Sequence, residues 1–264
     1  MKRTILFLWA ILLLITPALA ATPGQAQIVL QATEEGYPGA CKDVSLGSYA
    51  ADTIRQAAGT DFAFLPTGLL GLNLQPGPVD DEVLALCFPE DEIIYTVSFT
   101  APELKACLEH SAATLALNES ETLDREVSIW DGFLQISGLY IIYDVPAPVG
   151  QRLYELKLPD HTEPDLTDES LVFTAALPAS LVDGTHGYPV LEPECEIGSL
   201  RELVGARIAT EGVDTEPDSN RILLYGAYEN NIIDAFPPGL IVFVILLFAV
   251  FGGHKWRRLL NFER

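Results

Sequence analysis

A mixed α/β domain of the α+β kind, followed by one C-terminal transmembrane helix, is the fold class the chain predicts. Three runs carry the domain part. "SLGSYAADTIRQAAGTD" has helical apolar spacing and gives way at once to a short apolar strand. "EIIYTVSFT" alternates and runs directly into "TAPELKACLEHS", which opens with a helix-capping pattern. The second half strings strand-like runs between turns and ends in a further helix and strand. Helices and strands mixed in this way argue against a β-sandwich.

The chain opens "MKRTILFLWAILLLITPALAATPG". Lys2 and Arg3 precede an apolar core over 5–15, and Ala18-Leu19-Ala20 is a small-residue cleavage pattern, so residues 1–20 read as a secretory signal peptide. Residues 21–40 are a lead-in. In the first helix Leu46, Ala50, Ile54 and Ala57 recur at helical spacing and Gly59 is placed to end it. A strand over 62–65 and the turn "PTGLLG" follow. In "EIIYTVSFT", Ile93, Tyr95, Val97 and Phe99 share one face, which predicts a half-buried strand. Thr100 and Glu103 then form a capping box, Pro102 sits in the first turn, and Leu104, Cys107 and Leu108 make the buried stripe.

"GFLQISGLYIIYDV" reads as a hairpin interrupted by Gly138, where a bulge or a close backbone approach is expected. In "RLYELKL", Tyr154, Leu156 and Leu158 share a face. "SLVFTAALP" is a strand leading into the glycine-rich "LVDGTHGY"; "SLRELVGARIA" is a helix and "NRILLYG" a closing strand. Residues 227–238 form a stalk. Residues 239–253 carry no charge, Pro237-Pro238 mark their start, and Lys255, Arg257 and Arg258 follow, with Trp256 among them. Fifteen residues rise only about 22 Å, and snorkelling of Lys255 closes much of the gap to a bilayer core. This predicts a membrane anchor with a basic cytoplasmic tail over 254–264 and an extracytoplasmic domain. A C-terminal sorting signal has the same layout.

Between Ala21 and Phe236 the chain carries 9 basic against 36 acidic side chains, a formal charge of −27. With no basic stripe, nucleic-acid binding is excluded. Cys41, Cys87, Cys107 and Cys195 all fall in the exported part, where two disulfides in any of three pairings are expected, although Cys107 also fits a buried thiol. No C-x-x-C, G-x-S-x-G, P-loop or H-E-x-x-H occurs. The four histidines, at 110, 161, 186 and 254, form no metal-ligand pattern, so no catalytic residue, metal or cofactor is expected.

The ordered runs "LGSYAADTIRQAAGTDFAFLPTG", "FTAPELKACLEHS", "GFLQISGLYIIYDVPAPVGQRLYELKL", "LPASLVDGTHGY" and "NRILLYG" resemble the C-terminal, substrate-binding domain of 5′-nucleotidases over residues 41–226. The resemblance implies that domain's fold and a pocket in which an N-x-G-G-x-R turn holds the nucleotide and two aromatic rings sandwich the base. At the turn, Pro66 replaces the asparagine and Gly71 the arginine, while Gly68 is kept. In the second loop Ala179 and Ser180 replace Asn-Phe, Thr185 a glycine and His186 an aspartate; Gly184, Gly187 and the ring of Tyr188 remain. By spacing the first ring falls near Ile94, with Phe88 or Tyr95 as substitutes. His110 matches the family's Glu-His pair as a structural residue. The vestigial pocket expected from the resemblance is therefore Gly68, Phe88, Ile94, Asp183, Gly184, Gly187 and Tyr188.

Family members hydrolyse phosphate esters with two metals held in a separate N-terminal domain, for which the twenty or so residues before Cys41 leave no room. Without the arginine, phosphate loses its charge-assisted hydrogen bonds and meets an acidic surface. An uncharged nucleoside or sugar is the better-suited ligand. Three functions follow: a catalytically silent, membrane-anchored relative that binds a ligand or a protein; the substrate half of a split enzyme completed by an exported metallophosphatase; or a structural surface module.

Overall fold

The computed structural model describes residues 23–227 apart from residue 219. The predicted signal peptide, residues 228–238 of the stalk, the apolar run and the basic tail lie outside the described residues. Among the described residues no helix is long and apolar enough to cross a membrane.

The predicted helix forms as α1, Ser45–Ala58, and Gly59 ends it in the left-handed conformation (φ 67°). Strand β2, Phe62–Pro66, follows with all five residues buried. The alternating run is β4, Ile93–Thr100, and α3, Ala101–Ser111, starts without a gap. The capping box is present: Thr100 N donates to Glu103 Oε2 (2.8 Å) and Glu103 N to Thr100 Oγ1 (3.4 Å). The Thr100 hydroxyl, which also donates to Glu103 Oε2 (2.7 Å), and the Thr100 N–H hold the Glu103 carboxyl below its usual range. Later come β5, Leu134–Ser137; β6, Tyr140–Asp144; β7, Leu153–Lys157; β8, Val172–Pro178; α6, Leu200–Glu211; and β10, Ile222–Tyr225. Elements the patterning does not reveal are β1, Gln25–Ala26; β3, Gly77–Pro78; α2, Asp81–Cys87; α4, Arg125–Ser128; α5, Ala179–Val182; and β9, Cys195–Ser199.

A five-stranded sheet, order β5-β2-β8-β4-β9, forms the centre, with β2 and β8 parallel and the other neighbours antiparallel. Phe62, Phe64, Val97 and Phe99 on one face pack with Leu104 and Leu108 of α3 and with Ile141 and Tyr143 of β6. Ala63, Leu65, Ile94 and Ala176 on the other face pack with Tyr49 and Ile54 of α1 and Val204 and Ile208 of α6. Each fully buried large apolar side chain contributes roughly 1.5–3 kcal/mol. The lead-in belongs to this second core through Ala26, Leu30 and Ala32.

The two cores correct the reading of β4. Its odd residues do share a face, but Ile94 on the other face is fully buried as well. The strand is covered on both sides at its Ile94 end, while Ser98 further along stays exposed. The predicted hairpin is also not one. β5 pairs with β2, whereas β6 joins a separate sheet of order β10-β6-β7. Gly138 (φ 81°) is where the chain passes between sheets, and a Cβ there would collide with the Asp61 carbonyl. In β7 a register shift skips Tyr154, turning it outward at 71% exposure while Leu156 stays buried.

The two sheets are joined by a polar knot. Arg221 grips Asp52 with both terminal nitrogens (2.8 and 2.7 Å) and donates to the Ile136 carbonyl (2.9 Å). Ser137 Oγ donates to Asp52 Oδ1 (2.5 Å) and accepts from Arg55 Nε (2.8 Å). Gln135 accepts from Val44 N (2.8 Å) and lies against Gly47, where a Cβ would sit 2.5 Å from it.

The expected disulfides are absent. All four cysteines are free thiols, three buried and Cys195 exposed. Cys41 and Cys107 lie in the first core and Cys87 in the second. Burial raises the thiol pKa of Cys87 to about 11 and of Cys107 to about 12, and that of Cys41 further still, with Glu34 adding to the rise there. Iodoacetamide at pH 8 is expected to label Cys195 alone in the native chain and all four cysteines in denaturant, read by intact mass. Gly138→Ala should cost at least about 2 kcal/mol in urea unfolding, through left-handed strain plus the collision. Gly150→Ala, with φ 84° but open space around it, should cost only about 1 kcal/mol.

Candidate functional site

The turn after β2 and the loop after β8 both follow the ends of neighbouring parallel strands, so the topology brings them together. The turn tightens into a 3-10 helix, Thr67–Leu69. Its backbone is tied down by the segment leading into β5. Thr67 N donates to the Phe133 carbonyl (2.8 Å), Gly68 N to the Asp131 carbonyl (2.7 Å), and Thr67 Oγ1 to the Trp130 carbonyl (2.9 Å). A Cβ on Gly68 would lie 2.8 Å from that of Asp131, which explains the retained glycine.

At Gly71 the space is closed from the other side. Its N–H donates to the Cys87 carbonyl (2.7 Å), and a Cβ would collide with the Leu86 carbonyl and come within 2.7 Å of Pro89 Cγ. An arginine cannot be accommodated here without moving the end of α2. Among the described residues the arginines are engaged elsewhere. Arg201 holds the Phe88 (2.7 Å) and Pro89 (2.5 Å) carbonyls; Arg152 holds those of Ala112 and Ala113; Arg55, Arg125, Arg207 and Arg221 are engaged with Ser137, Glu34, Glu211 and Asp52.

The second loop folds down onto the same segment. Asp183 caps α5 and is exposed. Gly184 (φ 77°) and Gly187 (φ 83°) take left-handed conformations, and so does His186 (φ 60°). This path turns Tyr188 inward to 5% exposure, with its hydroxyl donating to the Gly132 carbonyl (2.7 Å). The ring lies nearly parallel to Trp130 (6.3 Å between centroids, 13°) and meets the His110 edge at 4.6 Å. His110 Nε2 donates to the His186 carbonyl (2.9 Å). Gly132 fills the middle, where a Cβ would lie 2.8 Å from that of His186 and collide with the Trp130 ring. The result is an aromatic cluster packed on itself.

Of the expected pocket, Gly68, Gly184, Gly187 and Tyr188 are thus brought to one place, with Asp183 at its rim. Phe88 and Ile94 are not. Both have no exposed surface and lie in the second core, so neither side chain is open to a ligand. Spacing does not reveal this burial, because an apolar residue lining a site and one packed beneath a sheet look alike in sequence. Trp130 and Gly132 are the members the sequence reading missed; the Trp-Asp-Gly run just before β5 was the available signal.

A groove of about 480 Å³ runs along the outer side of α3, lined by Pro102, Lys105, Ala106 and Val149 among others, and shares only His110 with the cluster. Among the described residues no three His, Cys, Asp or Glu side chains gather where they would hold a metal ion. The donors present therefore do not fit the two-metal centre that the resemblance implies for whole enzymes.

Burial raises the Tyr188 hydroxyl well above the usual tyrosine value of 10.0. Below that value the group is neutral in both states; above it only the unfolded chain ionises, so stability falls as pH climbs past about 10. Tyr188→Phe should lessen this alkaline decline, to which the buried thiols also contribute, and, at neutral pH, cost about 1 kcal/mol for the lost hydrogen bond. Tyr188→Ala should cost roughly 3–5 kcal/mol. Urea titrations across pH read both.

Residues 25–193 match the family described as "5′-nucleotidase, C-terminal domain". No curated protein matches the chain. Among solved structures, a 5′-nucleotidase precursor from Thermus thermophilus superposes with a TM-score of 0.61 at 17% identity, over 84% of this chain and 42% of that one. The NAD nucleotidase of Haemophilus influenzae gives 0.57 at 15%, over 78% and 36%. The sulfate thiohydrolase SoxB of Thermus thermophilus gives 0.55 at 17%, over 86% and 39%. The chain thus spans about two fifths of the length of the solved structures it resembles, and at these identities the likeness concerns fold. With the glycine turn, the paired loops and the two-sheet core in place, the chain belongs to the 5′-nucleotidase C-terminal domain family.

Proposed function

We propose that the chain is an exported, membrane-anchored module of this family whose nucleotide site has closed, so that by itself it binds or presents partners and does not hydrolyse phosphate esters. The observation that carries this reading is Gly71, where the backbone of α2 and Pro89 occupy the place a phosphate-gripping side chain needs. The burial of Tyr188 supports it, since a ring spent on Trp130 and His110 offers no free face to a base. The solved relatives include proteins named for action on nucleotides, but the groups described here supply neither metal donors nor an unengaged arginine.

An uncharged nucleoside or sugar is opposed only by packing, not by charge, and is the small-molecule class that remains. A protein partner is the better-supported ligand. Leu72 and Leu86, 60% and 56% exposed, sit together beside the closed turn through the Leu72 N–H to Leu86 carbonyl hydrogen bond (2.8 Å). Paired exposed leucines at the mouth of a former site suit a protein contact, such as an exported metallophosphatase. Even so, a split enzyme would still lack its arginine.

The test is a thermal-shift series on the purified full chain with adenosine, AMP and a UDP-sugar, alongside phosphate release from AMP. The expected result is no shift with either phosphorylated ligand and no phosphate released. A saturable AMP shift at micromolar ligand, or phosphate release that survives repurification, would overturn the proposal.

A further inference from the structure

The three-stranded sheet has one covered face and one bare face. Ile141, Tyr143, Leu156 and Ile222 point into the first core. On the other side Tyr154, Leu223 and Tyr225 are 71%, 47% and 64% exposed. Strands β10 and β7 flank β6, so their axes lie about 10 Å apart. Yet the Tyr154 and Tyr225 rings stack at 6.0 Å and 21°. The two rings therefore lean together over the central strand, and Leu223, opposite the half-buried Ile142, extends the patch along it. Lys157 pairs with Glu155, two residues before it on β7 and opposite Ile142 on this same face, so the charges at that flank are locally balanced. A bulge that turns Tyr154 outward is what completes the patch; without the register shift Tyr154 would face the core.

We infer that this outer face rests on the headgroup region of a zwitterionic bilayer. Tyrosine suits that position, being apolar along the ring and polar at its tip, and it is enriched at membrane–water interfaces. The chain's own layout selects this occupant. Tyr225 closes the last described strand, and the uncharged run begins at Gly239. The thirteen residues between them reach about 50 Å at most, so an anchored chain keeps this edge of the domain near the bilayer surface. The acidic balance of the exported part disfavours an anionic surface, so the fit is to phosphatidylcholine-type headgroups. The inference rests on the membrane-anchor reading above, and the experiment separates the two.

The full chain is reconstituted in phosphatidylcholine nanodiscs and oxidised with hydroxyl radicals, with sodium carbonate extraction from vesicles run in parallel. Tyr154, Leu223 and Tyr225 should oxidise severalfold more slowly than in a lipid-free amphipol, while Leu72 and Leu86 beside the closed turn react equally in both. Replacing part of the lipid with phosphatidylglycerol should reduce the protection, and Tyr154→Asp, at an exposed position, should abolish it at Leu223. Retention after carbonate with no protection would overturn the docking and leave the anchor standing. Release by carbonate would overturn both. Equal protection in amphipol would mean that protein covers the face, and would also overturn the inference.

Discussion

The Asp52–Arg221 pair is the interaction on which the architecture turns. A carboxylate on α1 and a guanidinium at the entry to β10 meet in two parallel hydrogen bonds, and Ser137 at the end of β5 shares the same carboxylate. Removing either partner would strand a largely buried charge, which costs more than the pair itself contributes. The geometry matters beyond its energy. It locks the last strand of the small sheet to the helix that covers the far face of the large one, so two sheets and two cores behave as one body.

This knot explains why the family resemblance was readable at all. The runs that resemble the family most closely, "LGSYAAD", "FLQISG" and "NRI", are the ones that supply Gly47, Asp52, Gln135, Ser137, Gly138 and Arg221. They encode the junction of the sheets. The loops that resemble it least surround the closed cluster of Trp130, Gly132, His186 and Tyr188. Joints of this kind can persist while loops vary, so likeness of fold does not by itself carry chemistry with it.

Local patterning revealed the main elements because each carried a strong local signal: a glycine stop for α1, a capping box for α3, an apolar run for β2. It failed where tertiary context decides. Ile94 alternates as though it faced away from the core, yet a second core lies there. Tyr154 fits the period of its strand, but a skipped residue reverses it. Strand β9 went unseen because "CEIGS", an edge strand, has little apolar content. Cysteine counting suggested disulfides, whereas each buried thiol is accommodated as a small apolar side chain in its own surroundings. Of the site, the glycine positions were legible from turn chemistry, but the inward aim of Tyr188 was not, because it depends on Gly132 offering its carbonyl from another segment.

The crowding at Gly71 limits what a single substitution can do there. A Cβ meets the Leu86 carbonyl and the Pro89 ring before any longer side chain could reach the loops. A cation can therefore be introduced at this turn only by several coordinated changes that also shift the Leu86–Pro89 backbone.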